Sequence, residues 1–404
     1  MIIGGGAAGL SSALAASDYA NITVVDDNPR LGGQIWRAEL GRIRSDEANR
    51  LIDRVSAGNL TIINNAQIYG VETPERLVAA TPEGRLELHY QKLIIATGAR
   101  ERFLPFRGWT RPGVFGAGGL QAMVKSGMPI AKKEVVVGGT GPLLLAVADY
   151  LKAKGAKVVA IAEQASRASI NRFAMGLWRY PAKVRQAALI RMRLRGVEYL
   201  TGTWVTAAVG NGRIQQVTLS QRGKLRSIDC DYLACGFHLV PNTELASVLG
   251  CTISNGCVEV DEFQRTSIDN VYCAGEPTGI GGVEASLIEG HVAGLAAAGQ
   301  SLAARSLFRV REKRRRFADD LNRTFALRPE LAALPEPDTI VCRCEDVEYG
   351  RLTEFTSFRD AKLQTRCGMG TCQGRVCGAA THFLFGWEPP SVRPPIFPVK
   401  MEDL

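Results

Sequence analysis

The sequence predicts an α/β protein with parallel sheets, built twice over, that ends in a small cysteine-bearing module. Three observations predict it. Short apolar, β-rich runs alternate with helical patterns from the first residues onward. A strand–glycine–helix unit opens the chain and is echoed by a second that begins at Val135, which argues for two related folds. Five of the ten cysteines crowd between Cys342 and Cys377.

Length and composition set the bounds. The 404 residues exceed one ordinary domain and bury a large core without staples. An apolar content of 46% with 22% charged residues belongs to a soluble globular chain. No uncharged apolar run of about 18 residues occurs, so no membrane span is predicted. Met1-Ile2-Ile3 leads straight into glycines without a charged leader, and a cytoplasmic location is expected. Of the net charge of +9, much is expected in one run, Arg309, Arg311, Lys313, Arg314, Arg315 and Arg316. Such a run reads as a solvated helix face or a subunit contact. No zinc-finger, helix-turn-helix or aromatic-studded RNA pattern accompanies it, so nucleic acid is not an expected partner.

The elements follow in order. A very short strand, Ile2-Ile3, precedes Gly4-Gly5-Gly6-Ala7-Ala8-Gly9 and a small-residue helix from Ala7 to Ala16. This is G-x-G-x-x-G between a strand and a helix. Gly4 permits the turn, Gly6 lets the backbone approach a pyrophosphate, and Gly9 allows close helix–strand packing. The N–H groups of the helix start, with Ala7 and Ala8, face the phosphates. Asp26 ends the next strand, Ile22 to Asp26, where an acidic residue accepts ribose hydroxyls, with Asp27 the alternative acceptor. Strand Leu93 to Ala96 ends in Thr97-Gly98-Ala99. The second unit runs Val135-Val136-Val137-Gly138-Gly139-Thr140-Gly141-Pro142, with Leu143 or Leu144 where a third glycine is usual. Gly139 and Gly141 are its candidate phosphate contacts. Glu163, closing strand Val158 to Glu163, suits a ribose diol and opposes a 2′-phosphate, favouring NAD over NADP. That fold is equally readable as scaffold. Strand Val271 to Ala274 leads to Gly275-Glu276, then Gly281-Gly282 and a helix. A basic helix at about 305–323 and a connector with Pro329, Pro335 and Pro337 reach the cysteines, and a proline-rich tail runs from Pro389 to Pro398.

Cys342-Arg343-Cys344-Glu345 is followed after 22 residues by Cys367, then Cys372 and Cys377. Soft thiolates in such groups hold zinc or an iron–sulfur cluster, and spacing alone leaves both open. Glycines between the later cysteines let backbone N–H groups turn toward the sulfurs. The candidate ligands are Cys342, Cys344, Cys367 and Cys372, with Cys377 as alternate. The cysteines Cys230, Cys235, Cys251, Cys257 and Cys273 read as small buried hydrophobes. The four histidines, His89, His238, His291 and His382, are scattered and read as structural, as does His291 near the helix that follows Gly282.

Asp26 with Pro29-Arg30-Leu31-Gly32-Gly33-Gln34, then Ala96-Thr97-Gly98-Ala99, then Cys273-Ala274-Gly275-Glu276 resemble, in order, the motifs of two-dinucleotide-domain flavoproteins of the glutathione-reductase-like group. The resemblance implies FAD held by Gly4, Gly6, Ala7, Ala8, Gly9, Asp26 or Asp27, Gly33, Gln34, Ala96, Thr97, Gly98, Gly275, Glu276 and Gly282. Disulfide reductases of that group need a cysteine pair near the flavin, and the early half of this chain, up to Cys230, has no cysteine at all. The cysteine words resemble the bacterioferritin-associated-ferredoxin-like [2Fe–2S] domain. The whole chain resembles the α subunits of heteromeric amine and imino-acid dehydrogenases. Among these are the A-type subunit of opine oxidase, the flavoprotein subunit of hydrogen cyanide synthase, and D-hydroxyproline dehydrogenase subunits. Gly118-Gly119-Leu120-Gln121 and Pro241-Asn242-Thr243-Glu244-Leu245 share in that likeness. The 22-residue cysteine gap is shorter than is usual there and leaves little room for a helix.

The resemblance implies an FAD domain at 1–108 and 243–304, a second nucleotide domain at 109–242, a basic helix and linker at 305–337, and a [2Fe–2S] domain with tail at 338–404. It implies a catalytic β subunit resembling D-amino-acid oxidases, which oxidises the C–N bond of a small-molecule amine, and allows a small γ [2Fe–2S] subunit. FMN at a subunit boundary and NAD or ATP at the second turn stay open. Two rival readings remain: a stand-alone NAD(P)H-dependent reductase feeding its own cluster, and a zinc-bearing scaffold.

Overall fold

The computed structural model describes residues 1–37, 46–57, 60–388 and 391–404. Its contacts divide the chain into two compact units: Met1–Arg100 with Leu239–Asp319 and Ser391–Leu404, and Glu101–His238 with Asp320–Pro390.

The first unit is built on a five-stranded parallel sheet in the order Val271–Cys273, Leu93–Ile95, Ile2–Ile3, Ile22–Val25, Leu60–Ile63. Its strands are nearly continuous apolar runs because both faces are covered, one by helices and the other by a β-meander. The covering helices Ala7–Ala16 and Val283–Ala297 pack through small residues. A Cβ on Gly290 would stand 2.1 Å from the Ala8 carbonyl oxygen, so only glycine lets the two backbones approach. Ser11 Oγ donates to the Leu287 carbonyl at 2.7 Å and Ser12 Oγ to that of Gly290 at 2.8 Å, tying the pair. A three-stranded antiparallel meander, Gln67–Thr73, Arg76–Thr81 and Gly84–His89, is added to this unit. The tail belongs here: Ile396 is buried in the meander's core and its N–H meets the Tyr69 carbonyl at 2.6 Å. The sequence pattern groups this tail with the cysteine module; Pro389, where that pattern starts the tail, lies outside the described residues.

The second unit repeats the plan. Its parallel sheet runs Glu198–Thr201, Lys157–Glu163, Glu134–Thr140, Tyr232–Phe237, Val114–Gly116, and its own meander is Thr203–Val209, Gln216–Gln221 and Lys224–Asp229. The expected internal echo therefore extends to whole sheets and includes meanders that the sequence pattern does not announce.

The cysteine module folds within this second unit. A hairpin, Ile340–Cys342 with Val347–Glu348, is followed by helices Tyr349–Leu352, Phe358–Thr365 and Cys377–Phe385 around a core containing Phe358 and Trp387. Two of those helices lie in the cysteine gap, against the expectation of little room for one. They fit because they are short, four and eight residues. Trp109 Nε1 donates to the Ile340 carbonyl at 2.6 Å, while Val376 and Phe383 pack on the unit's main core. Among the described residues no helix is long and apolar enough to cross a membrane.

Candidate functional site

At the first glycine turn, a Cβ on Gly9 would come within 1.8 Å of the Gly4 carbonyl oxygen, so that glycine fixes how closely the helix starts against the strand. In front of Gly6 stands only the Cα of Gly33, 3.8 Å from where a Cβ would be. The two glycines thus face each other across a groove that any side chain would fill. The helix start has no side-chain cap, which leaves its N–H groups pointing at that groove. These features fit a bound pyrophosphate. Asp26 is buried and accepts from the Gly5 N–H and from Asn28 N at 2.8 Å and Nδ2 at 2.9 Å. Its carboxylate holds the turn itself, whereas Asp27 lies exposed beside it. Of the two acceptors left open by the sequence, Asp27 is the one facing outward.

Asn242 braces the Thr97-Gly98 strand end. Its Nδ2 donates to the Thr97 carbonyl at 2.9 Å, its backbone N–H donates to the Gly98 carbonyl at 3.0 Å, and Thr97 Oγ1 donates to the Asn242 carbonyl at 2.7 Å. The third motif carries two carboxylates. Glu276 accepts from Gly281 N at 3.2 Å and Gly282 N at 2.9 Å, capping the helix that starts at Val283. Burial pushes it up to about 7, against the pull of those two N–H groups. Glu289, which sequence reading missed, accepts from Gly275 N at 3.0 Å, Thr278 Oγ1 at 3.1 Å and Arg315 Nε at 2.8 Å. It lies fourteen residues beyond its backbone partner, on a helix that reads as glycine- and alanine-rich. Arg314 and Arg316 of the basic run likewise pair, with Glu284 at 2.5 Å and Glu312 at 2.9 Å.

The second glycine turn is differently disposed. Glu163 is 1% exposed, and its carboxylate accepts from Gly141 N at 2.7 Å and Ala165 N at 2.8 Å. Burial lifts it to about 7, those two N–H groups opposing. Over the turn runs the segment 325–328. Phe325, 5% exposed, has its Cβ 3.9 Å from where a Gly141 Cβ would stand. Its carbonyl accepts from Thr140 Oγ1 at 2.9 Å and meets His238 Nε2 at 2.8 Å. Buried Gln164 ties the turn to this segment, donating to Thr140 Oγ1 at 2.8 Å and the Ala326 carbonyl at 3.0 Å while accepting from Arg328 N at 3.1 Å. The expected ribose acceptor is therefore committed to its own backbone and the expected phosphate turn is covered. As arranged, this turn does not fit a dinucleotide.

The thiols form the third centre. The sulfurs of Cys342, Cys367 and Cys377 lie within 4.8 Å of one another, all buried. Hydrogen bonds from Cys367 and Cys377 hold the Cys342 thiol down, at about 2, while the contact with Cys342 pushes Cys367 up to about 12 and Cys377 upward as well. Backbone N–H groups of Gly368 and Glu345 point at the Cys342 sulfur, and those of Val376 and Gly374 at Cys372. Cys344 is exposed, shares a hydrogen bond with the Cys372 thiol, and lies 3.8 Å from Thr371 Oγ1. The four candidate ligands therefore divide between a trio and a pair, and Cys377, expected as the alternate, sits in the trio. Thiols gathered with N–H donors fit a thiolate-bound metal centre.

Comparison with known proteins agrees with this plan. The A-type subunit of opine oxidase from Rhizobium meliloti is 30% identical, over 100% of this chain and 97% of that protein. Hydrogen cyanide synthase subunit HcnB of Pseudomonas aeruginosa is 29% identical, over 93% of this chain and 90% of that protein. The crystal structure of L-proline dehydrogenase from P. horikoshii superposes with a TM-score of 0.70 at 21% identity, covering 100% of this chain and 78% of that one, a likeness of fold. Residues 1–297 match the pyridine nucleotide-disulphide oxidoreductase model, and the chain belongs to that family of flavoprotein oxidoreductases.

Proposed function

We propose that the chain is the electron-carrying flavoprotein and iron–sulfur subunit of a heteromeric enzyme that oxidises the C–N bond of an opine, amino acid or imino acid, with substrate oxidation on a partner subunit. The observation that carries this reading is the pairing, in one polypeptide, of an open flavin-type glycine turn with a buried thiol cluster. The full-length likeness to proteins named as subunits supports it. The covered second turn counts against a stand-alone NAD(P)H-dependent reductase, because the fold that would take the nicotinamide nucleotide is occupied by Phe325.

In this reading Gly4, Gly6, Ala7, Ala8 and Gly9 hold the pyrophosphate of FAD, Asp27 takes its ribose, and Gly33, Gln34, Ala96, Thr97, Gly98, Gly275, Glu276 and Gly282 line its path. The Cys342, Cys367 and Cys377 trio, completed from Cys344 and Cys372, holds a [2Fe–2S] cluster. Bound flavin supplies two-electron chemistry and the cluster single-electron transfer. This chain's own residues fix those groups, keep the Glu276 carboxyl turned into the helix start, and exclude water from the trio. The protein works in the cytoplasm beside a catalytic subunit. The test is an anaerobic dye-reduction assay on the complex co-purified with its partner. Reduction that depends on an amine or opine and not on NADH supports the reading; NADH-driven reduction by the isolated chain refutes it.

A further inference from the structure

The basic run at 309–316 is balanced in part, Arg314, Arg315 and Arg316 pairing with Glu284, Glu289 and Glu312. From Gln164 to Val197 no acidic residue occurs, while Arg167, Arg172, Arg179, Lys183, Arg185, Arg191, Arg193 and Arg195 do. These eight cations nearly account for the net charge of +9 and leave the rest of the chain close to neutral. They sit on a helical lobe of the second unit: Arg167–Gly176, the turn Leu177–Arg179, and Pro181–Arg193.

None of these three elements has a buried residue. Trp178 is 73% exposed, Met175 71% and Met192 65%, with Val184 and Leu189 also exposed. Helices of ten and thirteen residues are marginal in water without a face to bury. The roots are fixed. Ser166 caps the first helix by accepting from Ser169 N, Phe173 meets Phe325 edge-on at 5.8 Å, and Arg193 pairs with Asp149 at 2.9 Å. The distal face carries Trp, Met and Arg, the side chains that protein interfaces concentrate.

We infer that the lobe Arg167–Arg195 is the docking surface for an acidic protein subunit. The inference deepens the proposed function and rests on the partner that reading requires. Charge selects the occupant. Eight cations on a stretch that contains no acidic residue repel a second copy of this lobe and steer an acidic surface toward it. A membrane surface fits less well. At 3.6 residues per turn, Lys183, Arg185, Arg191 and Arg193 alternate round the second helix with Val184, Leu189, Ile190 and Met192, whereas a helix lying in a bilayer segregates its apolar face.

The experiment uses the native complex purified through a tag on this chain. Hydrogen exchange is compared between the complex and the isolated chain, and retention of the partner is measured as salt rises. Expected are slowed exchange confined to 167–195, a partner of acidic composition, and loss of retention toward about 1 M salt, where screening acts within about 3 Å. The triple variant Arg172→Glu/Arg179→Glu/Arg185→Glu, whose sites are all exposed, should weaken retention by about tenfold or more while keeping its flavin content. Trp178→Ala should weaken it at high salt as well as low. A complex in which 167–195 exchanges freely overturns the inference and leaves the proposed function standing. Sedimentation of the chain with phosphatidylglycerol vesicles, with the lobe open in the complex, overturns it in favour of a membrane. Self-association through the lobe overturns it too. Purification without any partner overturns both this inference and the reading beneath it.

Discussion

Glu163 shows how a single carboxyl can report whether a nucleotide fold still serves a nucleotide. Its folded pKa of about 7 lies above the ordinary value of 4.5, so the native chain binds this proton more tightly than the unfolded chain does. The contribution to stability is therefore greatest below pH 4.5, falls as pH rises to about 7, and levels off beyond. It amounts to about 3 kcal/mol across that window. Glu163→Gln should flatten this slope, read as the change in denaturation midpoint between pH 4.5 and 8; an unchanged slope would show that the carboxyl ionises freely in the fold. Gly9 makes the complementary case at the first turn. With 1.8 Å available to a Cβ, Gly9→Ala must push the helix off the strand. The variant is expected to lose about 1–3 kcal/mol and most of its flavin, measured by absorbance after gel filtration.

At the level of elements, the strap 325–328 and the thiol module decide what the second unit does. Phe325→Ala removes a buried ring and should cost about 3–5 kcal/mol in denaturant unfolding. The same substitution uncovers Gly141, so any nicotinamide nucleotide binding, followed by calorimetry with NADH, should be absent in the native chain and gained only in the variant. Tight NADH binding to the native chain would contradict the covered turn. In the thiol module, Cys342→Ser, Cys367→Ser and Cys377→Ser should each lower iron content after anaerobic reconstitution. Serine at Cys344 or Cys372 separates the two groups: whichever substitution spares the iron identifies a thiol outside the ligand set.

Across the whole molecule, the parts legible in the sequence are those whose chemistry is written in consecutive residues. Gly4 to Gly9, Ala96-Thr97-Gly98 and Val135 to Gly141 each encode a strand end and a turn, because glycine is required where backbone meets backbone or, as at Gly98, where φ is positive. The five late cysteines are equally plain. The rest depends on distance along the chain. Phe325 closes a turn more than 180 residues before it, Glu289 braces Gly275 from a helix, and nothing in either local pattern reveals the contact. Cysteine order cannot say that Cys377 stands beside Cys342. The basic run is conspicuous because it is dense, yet Arg314, Arg315 and Arg316 find acids nearby, while the lobe at 167–195 spreads its cations among apolar residues and leaves no such mark.

The proposed electron carrier needs a redox nucleotide at the first glycine turn and iron among the C-terminal thiols. Anaerobic purification followed by flavin extraction and metal and sulfide determination tests both at once. The prediction is flavin nucleotide with about two iron and two acid-labile sulfide per chain. A colourless chain carrying zinc, or no metal at all, would contradict it.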